Sequence, residues 1–201
     1  RNPEKERETI FVQYNAGDEA YGKELVLRAK PSALTIVDGK VRGSTAVEYT
    51  FEQLAAYNSE RQTLYLFNTD SPVIAEVDFN FDTLSTIPVN LPLEKVSQAE
   101  KDSLEKAYDD PDQWRTVEPL LPEVKSAAGD MKYKNGVFWL KSFLRGAYQK
   151  WFVLNEKGQI LCVVNLPKKS ILTHISEQNI GLRLDDTHFA LYENPVSELL
   201  K

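Results

Sequence analysis

The sequence predicts a mainly β fold built from repeated antiparallel strand units, with one helical insertion. Three observations carry this prediction: short apolar strands that end on Asn recur along the chain, turn-forming residues follow them, and one segment with a helical pattern interrupts the repeat. The chain has 201 residues, of which 42% are hydrophobic and 27% are charged. That length and composition suffice for a packed core.

The recurring strand is a run of aliphatic and aromatic residues closing on Asn. It occupies residues 11–15, 64–68 and 151–155 and, in a looser form, residues 189–194. Turn formers follow the first three copies, as Ala16-Gly17-Asp18, Thr69-Asp70-Ser71-Pro72 and Glu156-Lys157-Gly158. Each copy therefore predicts a strand that enters a hairpin.

Further hairpins are predicted upstream of these strands. Asn135-Gly136 separates two apolar runs, and a two-residue turn of this type needs positive φ at both positions, which Asn and Gly tolerate best. Asp38-Gly39 predicts a similar turn. Val-Asn-Leu-Pro at residues 89–92 recurs at residues 164–167, where proline would stop a strand ladder. Together these signals indicate a unit of four strands.

The spacing of the repeated Asn residues is typical of β-propeller blades, which run at roughly 40 to 50 residues. Asn15 and Asn68 lie about 53 residues apart, and Asn155 and Asn194 about 39. The interval between Asn68 and Asn155 is about 87 residues, which indicates an insertion. We therefore expect β-propeller-type four-stranded antiparallel repeats, a partial propeller of about three to four blades, in a single domain over residues 1–201 with a helical insertion at about 96–120.

The insertion begins with a helix-capping pattern. Ser97 and Glu100 have the spacing of a capping box, in which the hydroxyl accepts from the third helical N–H and the carboxylate reaches back. A helix over about residues 98–108 should follow. Asp110 and Pro111 then predict the start of a second helical turn, with Asp as N-cap and Pro at the first position.

Charge and hydropathy exclude several classes of partner. The net charge of −6 would repel a phosphate backbone, so no nucleic acid is expected. No apolar run approaches the roughly 18 residues of a membrane span. Cys162 is the one cysteine and sits in an apolar run, which predicts a buried small hydrophobe. The start at Arg1 indicates a processed or trimmed chain, through removal of a secretion signal or a shortened boundary.

No catalytic residue, metal ligand or cofactor is predicted. The two histidines, His174 and His188, lack cysteine partners, and Asp185-Asp186 beside His188 favours a hairpin turn over a metal site. No nucleophile elbow or Ser-x-x-Lys motif is persuasive, and no phosphate-cradling glycine loop occurs. Paired carboxylates elsewhere in the chain fall at turns and helix ends, where they cap N–H groups.

Aromatic residues give the better functional lead. Trp139, Phe143, Tyr148 and Trp151 crowd one predicted hairpin, with Arg145 in its loop. These five residues form the candidate binding surface for a protein or peptide. The alternative is that the aromatic rings pack between neighbouring sheets.

Residues from about 91 to 194 also resemble a known family. The carrying motifs are Asn135-Gly136-Val137-Phe138-Trp139-Leu140, then Trp151-Phe152-Val153-Leu154-Asn155-Glu156-Lys157-Gly158, then Leu166-Pro167, with the helical segment before them. In this order they resemble the C-terminal part of bacterial six-bladed β-propellers of the NHL/TolB-like kind, over roughly half of the chain. Asn155 stands where that family usually has Asp, and the chain is about half as long as six blades require.

The resemblance implies a non-enzymatic binding or scaffold module of the bacterial cell envelope, periplasmic or extracellular, although a cytoplasmic location stays open. It would engage a protein or peptide through strand-connecting loops or an open blade edge, or self-associate to complete the propeller. Two alternatives remain: a metal-dependent propeller enzyme of the lactonase or lyase type, and a small-ligand sensor.

Overall fold

The computed structural model describes residues 8–15, 17, 19–37, 40–108 and 110–198. The protein is mainly β with antiparallel sheets, as predicted. The strands are β1 Glu8–Asn15, β2 Ala20–Arg28, β3 Ser32–Val37, β4 Lys40–Ala46, β5 Gln53–Asn58, β6 Thr63–Asn68, β7 Val73–Val77, β8 Thr83–Pro88, β9 Asp130–Lys134, β10 Val137–Lys141, β11 Tyr148–Asn155, β12 Ile160–Pro167, β13 Ile171–Ile175, β14 Asn179–Arg183 and β15 Phe189–Glu193. The helices are α1 Gln98–Glu105 and α2 Pro111–Val117, followed by a 3₁₀ turn at Glu118–Leu120.

The chain divides into two compact units. Unit 1 comprises Arg1–Gln53 and Leu93–Ser126, and unit 2 comprises Leu54–Pro92 and Ala127–Lys201. The single domain predicted for residues 1–201 stays a prediction.

Unit 1 holds two antiparallel hairpins, β1–β2 and β3–β4, and the helices. Its small core contains Ala33 and Val47 together with Trp114 and Val117 of α2. The Asp38-Gly39 turn predicted between β3 and β4 lies outside the described residues. The helical insertion predicted at about 96–120 is confirmed, because α1, α2 and the 3₁₀ turn fill that interval.

The capping box at the start of α1 is confirmed. The Ser97 hydroxyl accepts from the Glu100 backbone N–H at 3.3 Å, and the Glu100 carboxylate accepts from the Ser97 N–H at 2.9 Å. Glu100 also lies 2.5 Å from the ammonium of Lys125, a side chain only 1% exposed. The carboxylate therefore caps a helix and neutralises a buried cation at once.

Unit 2 consists of three antiparallel sheets whose strands follow one another in chain order. The first sheet is β5-β6-β7-β8, the second is β9-β10-β11-β12, and the third is β13-β14-β15. Four-stranded antiparallel sheets are thus confirmed. The second sheet contains the predicted strands, whereas the hairpin predicted upstream of β6, β3–β4, forms a separate two-stranded sheet and β5 pairs with β6 instead. Asn135 and Gly136 have φ values of 51° and 76°, as the predicted two-residue turn between β9 and β10 requires.

The second sheet is covered on both faces because its side chains alternate between two cores. Phe138 and Leu140 of β10 join residues of the first sheet in one buried cluster. Val137 and Trp139 of the same strand join residues of the third sheet in another. The three sheets are therefore stacked face to face, with the second in the middle.

Candidate functional site

The third sheet has one strand fewer than its two neighbours. Its order is β13-β14-β15, and among residues 8–198, as far as they are described, no strand pairs with the outer edge of β15. An unpaired strand edge presents backbone donors and acceptors to any chain that can align with it. This edge is one half of the candidate site.

The hydrogen bonds at the two ends of the β14–β15 pair show which backbone groups face outward. Asn194 N–H donates to the Gln178 carbonyl at 2.7 Å, and Leu184 N–H donates to the His188 carbonyl at 2.9 Å. Hydrogen-bonded and non-hydrogen-bonded pairs alternate along an antiparallel ladder. Every second residue of β15 therefore directs its N–H and C=O to β14.

It follows that the backbone N–H and C=O groups of Ala190 and Tyr192 form hydrogen bonds with β14. Phe189, Leu191 and Glu193 direct theirs away from it. The side chains of Phe189 and Leu191 are also 69% and 67% exposed. Strand β15 thus combines an open edge with exposed apolar side chains on one of its faces.

A groove of about 490 Å³ runs beside this edge and is the other half of the site. It is bounded by β12 of the second sheet and by β14 and β15 of the third, and its lining residues are Tyr148, Cys162, Val163, Val164, Asn165, Leu166, Pro167, Ile180, Leu182, Tyr192, Glu193 and Pro195. The groove therefore lies between β12, the last strand of the second sheet, and the last two strands of the third sheet. We call the edge and the groove together the β15 groove.

The lining of the β15 groove is predominantly apolar. Val164 and Leu166 on the β12 side and Ile180 and Leu182 on the β14 side belong to the buried core cluster between the sheets, which borders the groove. Cys162 stands half-buried on the same wall, where burial raises the pKa of its thiol above the usual 9.0. The thiol is therefore protonated at neutral pH, and this wall carries no charge.

Only one of the five predicted surface residues lines the groove. Tyr148 does, with 57% of its side chain exposed. Trp139 and Trp151 are 0% and 1% exposed, so assigning them to a binding surface was wrong: both pack between the second and third sheets, the alternative reading of these rings. Phe143 and Arg145 lie in the segment between β10 and β11, away from the groove lining.

The histidine-containing segment forms a turn, as predicted. Asp185 Oδ1 accepts from the backbone N–H groups of Thr187 and His188 at 2.9 and 2.8 Å, in the exposed connection between β14 and β15. These hydrogen bonds and the His188 ring hold the pKa of Asp185 below its usual value. Within the described part of the chain, no group of three or more His, Cys, Asp or Glu residues is placed to hold a metal ion.

A polar cluster that the sequence did not reveal joins the first and second sheets. Glu156, in the turn after β11, accepts from the hydroxyls of Tyr133 and Tyr65 at 2.7 and 3.1 Å and from the guanidinium of Arg61 at 2.8 Å. Asn58 completes it through Nδ2, 3.4 Å from the Tyr133 hydroxyl. Because the carboxylate already has three donors, we interpret this Glu156 cluster as a structural link.

The Glu156 cluster makes stability depend on pH in a defined direction. Burial alone would raise the pKa of Glu156, but the hydrogen bonds from Tyr133, Tyr65 and Arg61 outweigh it and hold the pKa below the usual 4.5. A carboxyl group with a depressed folded-state pKa stabilises the fold above its unfolded-state pKa and loses that contribution as the pH falls.

We therefore expect Glu156→Gln to be destabilising at pH 7 and to lose this effect progressively as the pH falls below about 4.5, the usual pKa of the group. Urea denaturation of both proteins at several pH values measures the difference. Glu198→Gln, at an exposed carboxylate outside the cluster, serves as control and should show little effect at either pH. A constant difference between wild type and Glu156→Gln from pH 7 to pH 3 would contradict the assignment.

These features define a class: a mainly β protein of stacked antiparallel sheets with an apolar groove beside an open strand edge. No protein-family model and no curated protein matches the sequence. A protein of unknown function from Bacteroides caccae, known from a crystal structure, is similar to this chain with a TM-score of 0.42 and 12% identity. The similarity covers 94% of this chain and 70% of that one. No helix among the described residues is long and apolar enough to cross a membrane.

Proposed function

We propose that this protein is a non-enzymatic binding module that holds an extended segment of a partner protein in the β15 groove. One observation carries the proposal: no described strand pairs with the outer edge of β15, and an apolar groove is lined by residues of the same strand. Addition of a strand to an exposed sheet edge is a recurring mode of peptide recognition.

The two halves of the site supply different parts of the binding free energy. The outward N–H and C=O groups of Phe189, Leu191 and Glu193 would pair with the backbone of the partner, which does not depend on the partner's sequence. The groove would bury its alternate side chains, and this burial depends on their size and polarity. A partner strand thus gains both affinity and selectivity.

The β-propeller architecture is part of the same proposal. Successive antiparallel meanders in chain order, stacked face to face, are the arrangement of neighbouring propeller blades, and this observation motivates the proposal. Cryo-electron microscopy of the protein would test it by showing whether the sheets radiate about an axis. The cell-envelope location belongs to the proposal too, and fractionation of the source cells tests it.

Replacing Leu191 with proline should abolish partner capture without unfolding the sheet. Proline has no N–H, and the N–H of Leu191 faces the open edge and is not needed by β14. Leu191→Ala removes the same side chain but keeps the donor, so it is the matched control. We expect proteins that co-purify with wild type and with Leu191→Ala, measured by quantitative mass spectrometry, to be lost with Leu191→Pro.

Thermal unfolding separates this result from simple misfolding. Leu191→Pro and Leu191→Ala should melt within a few degrees of each other, because neither removes a hydrogen bond between β14 and β15. If a folded Leu191→Pro variant retained the same partners as wild type, binding along the β15 edge would be disproved.

A further inference from the structure

We infer that the bound segment runs antiparallel to β15, places apolar side chains two residues apart in the β15 groove, and carries a basic residue beside Glu193. This inference deepens the proposed function and rests on it. It follows from the register of β15, from the residues that line the groove and from the charge of Glu193.

The direction follows from the sheets themselves. The fourth strand of the second sheet, β12, is antiparallel to β11, and β15 is antiparallel to β14. A partner strand that pairs antiparallel with β15 would continue this pattern, and an antiparallel ladder is slightly more stable than a parallel one. In that arrangement the partner residues opposite Ala190 and Tyr192 point to the same face as Tyr192, which lines the groove. Two partner side chains, spaced by two residues, therefore enter it.

The groove selects apolar side chains at those two positions. Val164, Leu166, Ile180 and Leu182 line it, and a charged group placed against them would lose its hydration without gaining a partner. The chain's own sequence uses the same alternation: Val164 and Leu166 are buried on either side of Asn165. An apolar-polar-apolar segment is thus the pattern that already covers a core in this protein.

The charge of Glu193 favours a basic residue opposite it on the bound segment. Glu193 is exposed at the end of β15, and its backbone groups face the open edge. No ion pair joins its carboxylate to another residue in the described part of the chain. A lysine or arginine directly opposite would form a favourable cross-strand pair, whereas an acidic residue there would be repelled.

The same charge argues against a second copy of this chain as occupant. Two β15 strands paired antiparallel about Leu191 would set Glu193 opposite Phe189 of the other copy. The carboxylate would then face an aromatic ring with no cation beside it. A partner protein with a basic residue opposite Glu193 would form a more favourable pair with its carboxylate.

Cys162 can report which residues of a bound peptide enter the groove, because it is the one cysteine of the chain and lines the groove. A peptide of the pattern Lys-Val-Thr-Val-Thr, flanked by short polar extensions, would place both Val residues in the groove. Each peptide carries a single Cys, activated as a mixed disulfide with an aryl thiol. The Cys162 thiol attacks this disulfide, displaces the aryl thiol and forms the new disulfide, which maps the side chains that approach it because the Cα atoms must lie within about 7 Å. The protein is the full chain, and cross-linking is followed by mass spectrometry.

We expect Cys at a Val position to form the mixed disulfide at least about tenfold faster than Cys at either Thr position. The wild-type peptide should slow modification of Cys162 by a thiol reagent. Equal cross-linking from Val and Thr positions, or preference for Thr, overturns the inference. So does the absence of any cross-link.

Charge reversal tests whether the bound segment carries a basic residue beside Glu193. Lys→Glu in the peptide should weaken binding several-fold, and Glu193→Lys in the protein should reverse that preference. Glu198→Lys, at an exposed carboxylate that does not line the groove, should leave the preference unchanged. Unchanged preference in Glu193→Lys overturns the role of this residue.

The outcomes also separate this inference from the proposed function. If no peptide of this pattern binds, yet partner capture still depends on the N–H of Leu191, the groove accepts a strand of different chemistry. If capture is insensitive to Leu191→Pro, the proposed function fails first. A concentration-dependent dimer in analytical ultracentrifugation that Leu191→Pro abolishes, and that the peptide does not compete with, would identify a second copy as occupant and overturn the inference.

Discussion

Replacing Trp139 with alanine is expected to lower the free energy of unfolding by about 3–5 kcal/mol. The side chain is fully buried between the second and third sheets, so its removal leaves a large cavity that the neighbouring strands cannot fill. Its indole N–H has no hydrogen-bond partner among the described residues, so the loss is one of packing. Urea denaturation followed by circular dichroism gives the difference directly.

Tyr148→Ala is the matched control, because Tyr148 is a large aromatic residue of the neighbouring strand β11 but is mostly exposed. Its replacement should change stability by no more than about 0.5 kcal/mol. Similar losses for the two variants would mean that Trp139 is not part of a closely packed layer.

Gly158→Ala is expected to destabilise the protein far more than Gly136→Ala, although both glycines have φ of 76°. For each, a side chain in this left-handed region costs about 1–2 kcal/mol. A Cβ at Gly136 would meet nothing within 4 Å, whereas a Cβ at Gly158 would lie 1.7 Å from the Pro88 carbonyl oxygen. The backbone must therefore shift at Gly158, which adds about 1–3 kcal/mol.

Thermal and urea denaturation of both variants measure this contrast. The cost of placing a side chain at positive φ is the same at both sites. The difference in destabilisation between the two variants therefore measures how closely the turn after β11 contacts the end of β8. Equal losses at Gly158 and Gly136 would show that the turn does not contact β8 in solution.

Features that depend on neighbours in the chain were predictable from the sequence. Asn135-Gly136 forms the expected turn because its φ angles are a property of those two residues. Ser97 and Glu100 form the expected capping box because the interaction spans a single helical turn. The strands of the recurring pattern are likewise found at β6, β11 and β15.

Features that depend on distant contacts were not predictable. Glu156 looks like an ordinary turn residue, and the tyrosine it binds in the first sheet, Tyr65, is 91 positions away. Alternation along β10 shows that Trp139 and Phe138 face opposite sides, but it does not show that both sides are covered. In the described part of the chain no strand pairs with the outer edge of β15, and no local pattern in β15 signals this.

The middle position of the second sheet limits which sequences this fold can accept. Both alternating sets of side chains on β10 and β11 contact a core, so no position in the centre of these strands is free to become polar. Variation among natural relatives should therefore be confined to turns and to the outer sheets. The edge that we propose binds a partner lies in one of those outer sheets, where its specificity can change without loss of the fold.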